Sequence, residues 1–160
     1  MLLGAGLFAV LTFVGANIRI PLQPVPVTLQ TLFVLLAGAV LGSRVGLLSQ
    51  STYLLMGVAG LPLFAGTAVG LAVLTGPTGG YLAGFVLAPV VIGRLVNKHT
   101  SFYWHVAVFS FGSAVILLLG VLHLAVFYTR DLATALRVGC VPFLIGDALK
   151  IFAAASIYLS

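Results

Sequence analysis

Apolar runs too long for a small soluble core succeed one another from Leu2 to Leu159, and they constrain the fold more than any motif does. A helix needs about 20 mostly apolar residues to cross a bilayer. Runs approaching that length recur at 2–18, 29–42, 45–61, 81–95, 104–128 and 140–159. They are continuously apolar rather than alternating, which argues against a membrane barrel. Only 6% of residues are charged, against roughly 25% in soluble proteins. The mean hydropathy is +1.29. The expectation is an all-α membrane protein in the cell membrane: one multi-pass domain over residues 1–160 forming a six-helix bundle.

The net charge of +5 does not point to nucleic acid. The basic residues are spread singly along the chain, with no stripe and no aromatic interleaving. They read as charges flanking a lipid bilayer. Arg19, Arg130 and Arg137 follow spans one, three and five, while Arg44, Arg94 and Lys98 fall in the other two connections. With basic residues balanced in this way, the positive-inside rule assigns no orientation. One cysteine, Cys140, rules out an internal disulfide. No small-residue cleavage site leads into a polar mature sequence, so a signal peptide is not expected.

Several functions lack their residues. No phosphate-binding Gly-x-x-x-x-Gly-Lys-Ser/Thr loop is present, so the chain does not itself use ATP in the usual way. His105 and His123, near the ends of span five, read as interfacial. Neither has a second ligand at metal spacing, and no metal or cofactor is expected. Without His-Glu-x-x-His, Gly-x-Ser-x-Gly or a second acid for a carboxylate pair, the chain is not read as an enzyme.

One of the two acidic residues lies inside the last apolar run, in Gly146-Asp147-Ala148-Leu149-Lys150. Residues three apart share a helix face, so carboxylate and ammonium can point the same way. An ion in a bilayer costs about 2.5–3.5 kcal/mol even on the lenient insertion scale. Such a pair either neutralises itself, with Lys150 snorkelling to the surface, or receives something polar. Ser49, Gln50, Ser51, Thr52 and Tyr53 form a second polar group too dense for a lipid-facing surface. It is expected to face other helices or a cavity.

Three prolines, Pro21, Pro24 and Pro26, forbid a regular helix after the first span. The connection from Leu61 to Tyr81 is rich in glycine yet mostly apolar. Non-helical backbone of that kind is tolerated at membrane depth only when covered or lining a cavity, so it is read as folded back over the bundle. With six spans, these two loops and the start of span six lie on one side of the membrane. A span beginning near Cys140 puts Asp147 about 10 Å in from that side. A capped, partly buried pocket follows. Thr129 to Gly139 is expected to hold a short amphipathic helix.

Several blocks together resemble the BioY family. They are Pro26-Val27-Thr28-Leu29-Gln30-Thr31-Leu32, Leu41-Gly42-Ser43-Arg44-Val45-Gly46 and Gly60-Leu61-Pro62-Leu63-Phe64-Ala65-Gly66. To these are added Gly76-Pro77-Thr78-Gly79-Gly80-Tyr81 and Pro142-Phe143-Leu144-Ile145-Gly146-Asp147-Ala148-Leu149-Lys150. The resemblance covers nearly the whole chain. It implies the biotin-specific substrate-binding component of an energy-coupling-factor transporter, with its amino end in the cytoplasm and its pocket opening outward. It also implies partners: a membrane coupling subunit and two ATPase subunits. The Ala5-x-x-x-Ala9 spacing in span one resembles the surface such components present to the coupling subunit, and the proline loop becomes a lid.

The ligand chemistry suits these residues. Biotin offers two ureido N–H donors, a ureido carbonyl and a carboxylate. Asp147 can accept from the N–H groups, and Lys150 can donate to the carbonyl or carboxylate, as charge-assisted bonds. Phe64 and Tyr81 would wall the thioether ring and alkyl tail. Thr78, Gly79 and Gly80 open a helix whose first N–H groups suit a carbonyl or carboxylate. Gln30 would touch the ligand at the base of the lid. The rival readings are a component tuned to another vitamin, or a non-transport structural subunit in which Asp147 and Lys150 only lock helix register.

Overall fold

The computed structural model describes Met1–Ser160. In chain order it holds α1 (Leu2–Asn17), a two-strand ribbon of β1 (Arg19–Ile20) and β2 (Val27–Thr28), and α2 (Gln30–Val58). Then come α3 (Ala72–Thr75), α4 (Gly79–Leu95), α5 (Phe102–His123), α6 (Leu132–Gly139) and α7 (Leu144–Leu159). Four stretches are long and apolar enough to cross a membrane: Gln30–Val58, Gly79–Lys98, Phe102–Tyr128 and Leu132–Leu159. The chain is a multi-pass, all-α membrane protein.

The expected count of six separate spans is off, and Gly42 supplies much of the reason. Runs 29–42 and 45–61 belong to one helical element whose backbone leaves helical geometry only at Gly42, with φ 76° and ψ 175°. A straight helix would hold Gln30 and Tyr53 roughly 34 Å apart. Instead the Gln30 amide nitrogen donates to the Tyr53 hydroxyl at 2.7 Å. A methyl group built on Gly46 would likewise lie 3.1 Å from the Ala37 carbonyl oxygen. Arms 30–41 and 43–58 thus fold back on each other with no loop between them. α1, of 16 residues, is shorter than the crossing stretches. At the other end, α6, a 3-10 turn (Val141–Phe143) and α7 make up one apolar stretch.

Gly42 can be tested directly. Its φ/ψ pair belongs to glycine, and a side chain there costs about 1–3 kcal/mol, although nothing lies within 4 Å of the added carbon. Gly42→Ala is therefore expected to lower the thermal midpoint in detergent through backbone strain alone. Gly6→Ala, in α1 with equally open space, should leave it unchanged or slightly raised. Equal midpoints for the two variants would refute the role given to Gly42 in the reversal.

Packing explains the polar cluster of arm 43–58. Ser49, Gln50 and Tyr53 are all but fully buried. Gln50 exchanges hydrogen bonds with Thr12 of α1, while Thr52 is half-buried and bonds its own helix at Leu48. Ala5 and Ala9, at 3% and 6% exposure, are also packed inside the chain. They offer little surface to a partner; Leu2, Leu3, Leu7, Val10 and Val14 are the exposed large side chains of α1. Small residues let helices approach closely, and here the close approach is internal. His105, expected at the interface, is 2% exposed. It lies in the first turn of α5, with Nδ1 2.7 Å from the Ser101 carbonyl oxygen.

The amphipathic helix between Thr129 and Gly139 is α6. The Asp131 carboxylate caps it by accepting from the Thr134 N–H at 2.7 Å. Hydrogen bonding from Thr134 holds that carboxyl below the usual range.

Candidate functional site

A cavity opens where the three expected segments converge. Val25 and Pro26 come from the proline loop, Phe64 and Ala65 from the glycine-rich loop, and Phe143 and Asp147 from the start of the last apolar stretch. The space between its atoms, open mouth included, is about 580 Å³. Tyr81, Leu82 and Phe85 of α4 make one apolar wall, and Ile116 and Leu117 of α5 another. Thr28, Gln30, Thr31 and Thr78 add polar atoms at the edges.

The loops hold these positions by burying apolar side chains. Val25, Val27 and Phe64 are at most 9% exposed. The Phe64 ring meets Tyr53 edge-on at 5.7 Å between centroids, and the Tyr53 hydroxyl donates to the Leu63 carbonyl at 2.9 Å. Gln30 lies at the centre of this arrangement. Its amide nitrogen donates to Tyr53, and its amide oxygen accepts from Thr28 at 3.0 Å. Tyr81 is fixed in the same manner, stacked on Phe143 at 5.7 Å and donating to the Gly139 carbonyl at 2.6 Å.

Asp147 is the acidic residue on the cavity. The 3-10 turn at Val141–Phe143 delays α7 until Leu144, so Asp147 stands in the helix's first turn. A helix starting at Cys140, as hydropathy suggests, would have placed it deeper. The first turn is where a helix dipole favours a carboxylate. Asp147 Oδ2 accepts from the Ser113 hydroxyl at 2.9 Å. Oδ1 lies 2.6 Å from the Lys150 ammonium and has no other donor, which leaves lone pairs for a ligand N–H.

Lys150 is placed differently from the expectation. It does not border the cavity. It borders a shallow outer groove between the β ribbon and α7, together with Arg19, Val27 and Gly146. An ammonium has three N–H donors. Here they meet the Thr28 carbonyl at 3.2 Å, the Thr31 hydroxyl at 2.8 Å and Asp147. The lysine thus ties α7 to the lid strand and to the start of α2, while neutralising Asp147 from behind.

Thr78, Tyr81, Gln30, Phe64 and Asp147 are brought together on the cavity; Gly79 and Gly80 are not. The Gly79 N–H donates to the Gly76 carbonyl at 3.2 Å. A methyl group on Gly79 would overlap the Leu74 carbonyl, and one on Gly80 would overlap the Leu119 carbonyl of α5. Both glycines serve close packing. Ser113 and Thr31 are not among the residues that sequence reasoning singles out. A serine inside an apolar helix is the one signal that marks Ser113, and nothing local distinguishes Thr31.

Known proteins match this chain over nearly its full length. It is 49% identical to the biotin transporter BioY of Thermotoga maritima, over 99% of this chain and 93% of that one. It is 42% identical to a probable biotin transporter BioY of Pyrococcus horikoshii, covering 90% and 85%. The fold superimposes on the crystal structure of the S-component for biotin from an ECF-type ABC transporter with a TM-score of 0.88. That match has 26% identity and covers 99% of this chain and 88% of the other. The sequence model of the BioY family matches residues 1–160, and the chain belongs to that family.

Proposed function

We propose that this chain binds biotin as the substrate-binding subunit of an energy-coupling-factor transporter and mediates its uptake across the membrane. One observation carries the reading: a capped cavity with apolar walls and a single neutralised carboxylate, Asp147, in a chain matched along its length by biotin transporters. The Asp147 carboxylate accepts the two ureido N–H groups, beside the bond it takes from Ser113. Phe64, Tyr81 and Phe85 enclose the ring system and the alkyl tail. Gln30 and Thr78 offer hydrogen bonds at the edge. Lys150 acts through Asp147 and Thr28, pairing with the carboxylate and holding the lid in position.

The chain performs no covalent chemistry. Energy comes from partners, a membrane coupling subunit and two ATPases, and the pocket side faces outward. The coupling subunit meets the exposed side of α1, around Leu3, Leu7 and Val10, since Ala5 and Ala9 are occupied within the chain.

Titration calorimetry of the purified protein in detergent tests the reading, with desthiobiotin and lipoate as comparisons. The expected result is one-to-one binding that is tightest for biotin. Preference for another vitamin would reassign the ligand. Absence of binding by folded protein would return Asp147 and Lys150 to the role of a helix lock.

A further inference from the structure

An apolar groove runs along the outside of the helices between α5 and α6, separate from the cavity. All ten residues that line it are apolar, and the space between its atoms, open side included, is about 1150 Å³. On α5 it extends from Leu122 to Phe111, roughly 16 Å along the helix axis. Leu132, Leu136 and Cys140, spaced four apart, make the opposite wall. We infer that this groove holds one acyl chain of an anionic phospholipid, whose phosphate is bound by Arg137 and Arg130.

The charges lie at one end of the groove only. Leu122 is one residue from the end of α5, beside the connection that carries Arg130. Phe111, at the other end, lies deep within the crossing stretch Phe102–Tyr128. Successive residues of α6 turn by about 100°. Ala135, one step before Leu136, is buried, and Arg137, one step after it, is exposed. The groove wall therefore lies between the buried seam of α6 and the arginine. Arg130, two residues before Leu132, is exposed as well. A guanidinium is permanently charged, and its planar fork suits the oxygens of a phosphate. Asp131, the acid of this segment, is engaged in capping α6, and the two arginines outnumber it. Tyr128, exposed at the same end, belongs at headgroup level. Cations at the surface end and an uncharged length running inward are the layout of a phospholipid. An apolar helix of a partner would fill the groove but leave both arginines without a counter-charge.

The test offers purified protein in detergent equal amounts of phosphatidylglycerol and phosphatidylcholine with the same acyl chains, and counts the lipid retained by native mass spectrometry. Wild type should retain phosphatidylglycerol over phosphatidylcholine by roughly five- to tenfold, the scale of one or two arginines at an anionic headgroup. The double variant Arg130→Gln/Arg137→Gln should lose most of that preference, while Arg94→Gln, at the far end of α4, should keep it. Ala114→Phe, which fills the groove from α5, should lower retention of both lipids. Each of these variants alters exposed residues, so the fold should tolerate them. Equal retention of the two lipids by wild type would overturn the inference. So would a preference that survives in the double arginine variant, since the anionic lipid would then rest on Arg44, Arg94 or Lys98. Unchanged retention in Ala114→Phe would show a headgroup held without the groove. Displacement of phosphatidylglycerol by glycerol phosphate would show a site for soluble phosphates instead of a lipid. None of these outcomes depends on biotin.

Discussion

Lys150→Ala is expected to destabilise the ligand-free protein more than Asp147→Asn, and both are expected to weaken biotin binding markedly. Removing one member of a buried ion pair costs about 3–5 kcal/mol, because the remaining charge is left uncompensated. Asp147 is 5% exposed and would keep only the Ser113 hydroxyl. The Thr28 carbonyl and the Thr31 hydroxyl would lose their donor in the same step, which frees the lid from α7. Asp147→Asn is milder for the fold, since the amide oxygen can still accept from Lys150. It replaces a charged acceptor with a neutral group that is half donor, so its main effect falls on the ligand. Each variant should lose about 2 kcal/mol or more of biotin affinity, the scale of a buried charged hydrogen bond, or roughly 30-fold. Melting in detergent without ligand reads the first effect, and calorimetry reads the second. The double variant Asp147→Asn/Lys150→Met should recover part of the stability lost in Lys150→Ala without recovering binding. Wild-type affinity in both single variants would rule out Asp147 as the ligand's acceptor.

The fold and the site were legible to different depths, for physical reasons. Hydropathy located the apolar stretches because crossing a bilayer demands length, a local property. Parity of the spans then brought the proline loop, the glycine-rich loop and the start of the last stretch to one side, and the cavity forms where they meet. Local reading stopped at Gly42, where a single glycine replaces a loop, and at Cys140, where a 3-10 turn shifts Asp147 into a first turn. Residue type alone marked Asp147, since an isolated acid in an apolar run needs a partner. It could not say that the Lys150 ammonium is already engaged by Thr28 and Thr31, more than a hundred residues earlier in the chain. Ala5 and Ala9 show the same limit. Small-residue spacing reports that something packs closely, but not whether it belongs to the same chain.

Gly80→Ala is expected to damage both fold and site, although the side chain it adds never reaches the ligand. The added carbon would overlap the Leu119 carbonyl and the His123 Cβ, both on α5. A backbone carbonyl cannot turn aside as a flexible side chain can, so the two helices must separate. Overpacking of this kind typically costs about 1–3 kcal/mol, and a backbone obstacle places Gly80 at the upper end. Neighbouring positions prevent α4 from tilting to escape. A carbon on Gly84 would lie 2.7 Å from Ile116 Cα, and the Tyr81 ring rests against Gly120. Separation would also reach the site, because Tyr81, Leu82 and Phe85 wall the cavity from α4 while Ile116 and Leu117 wall it from α5. Lost stability and lost affinity should therefore appear together in Gly80→Ala, with biotin weakened at least tenfold, or about 1.4 kcal/mol. Asp147→Asn should lose affinity out of proportion to its loss of stability, which is smaller than that of Lys150→Ala because the ammonium keeps Thr28 and Thr31. A Gly80→Ala protein that melts like wild type and binds biotin normally would show that α4 and α5 do not meet as closely as this packing requires.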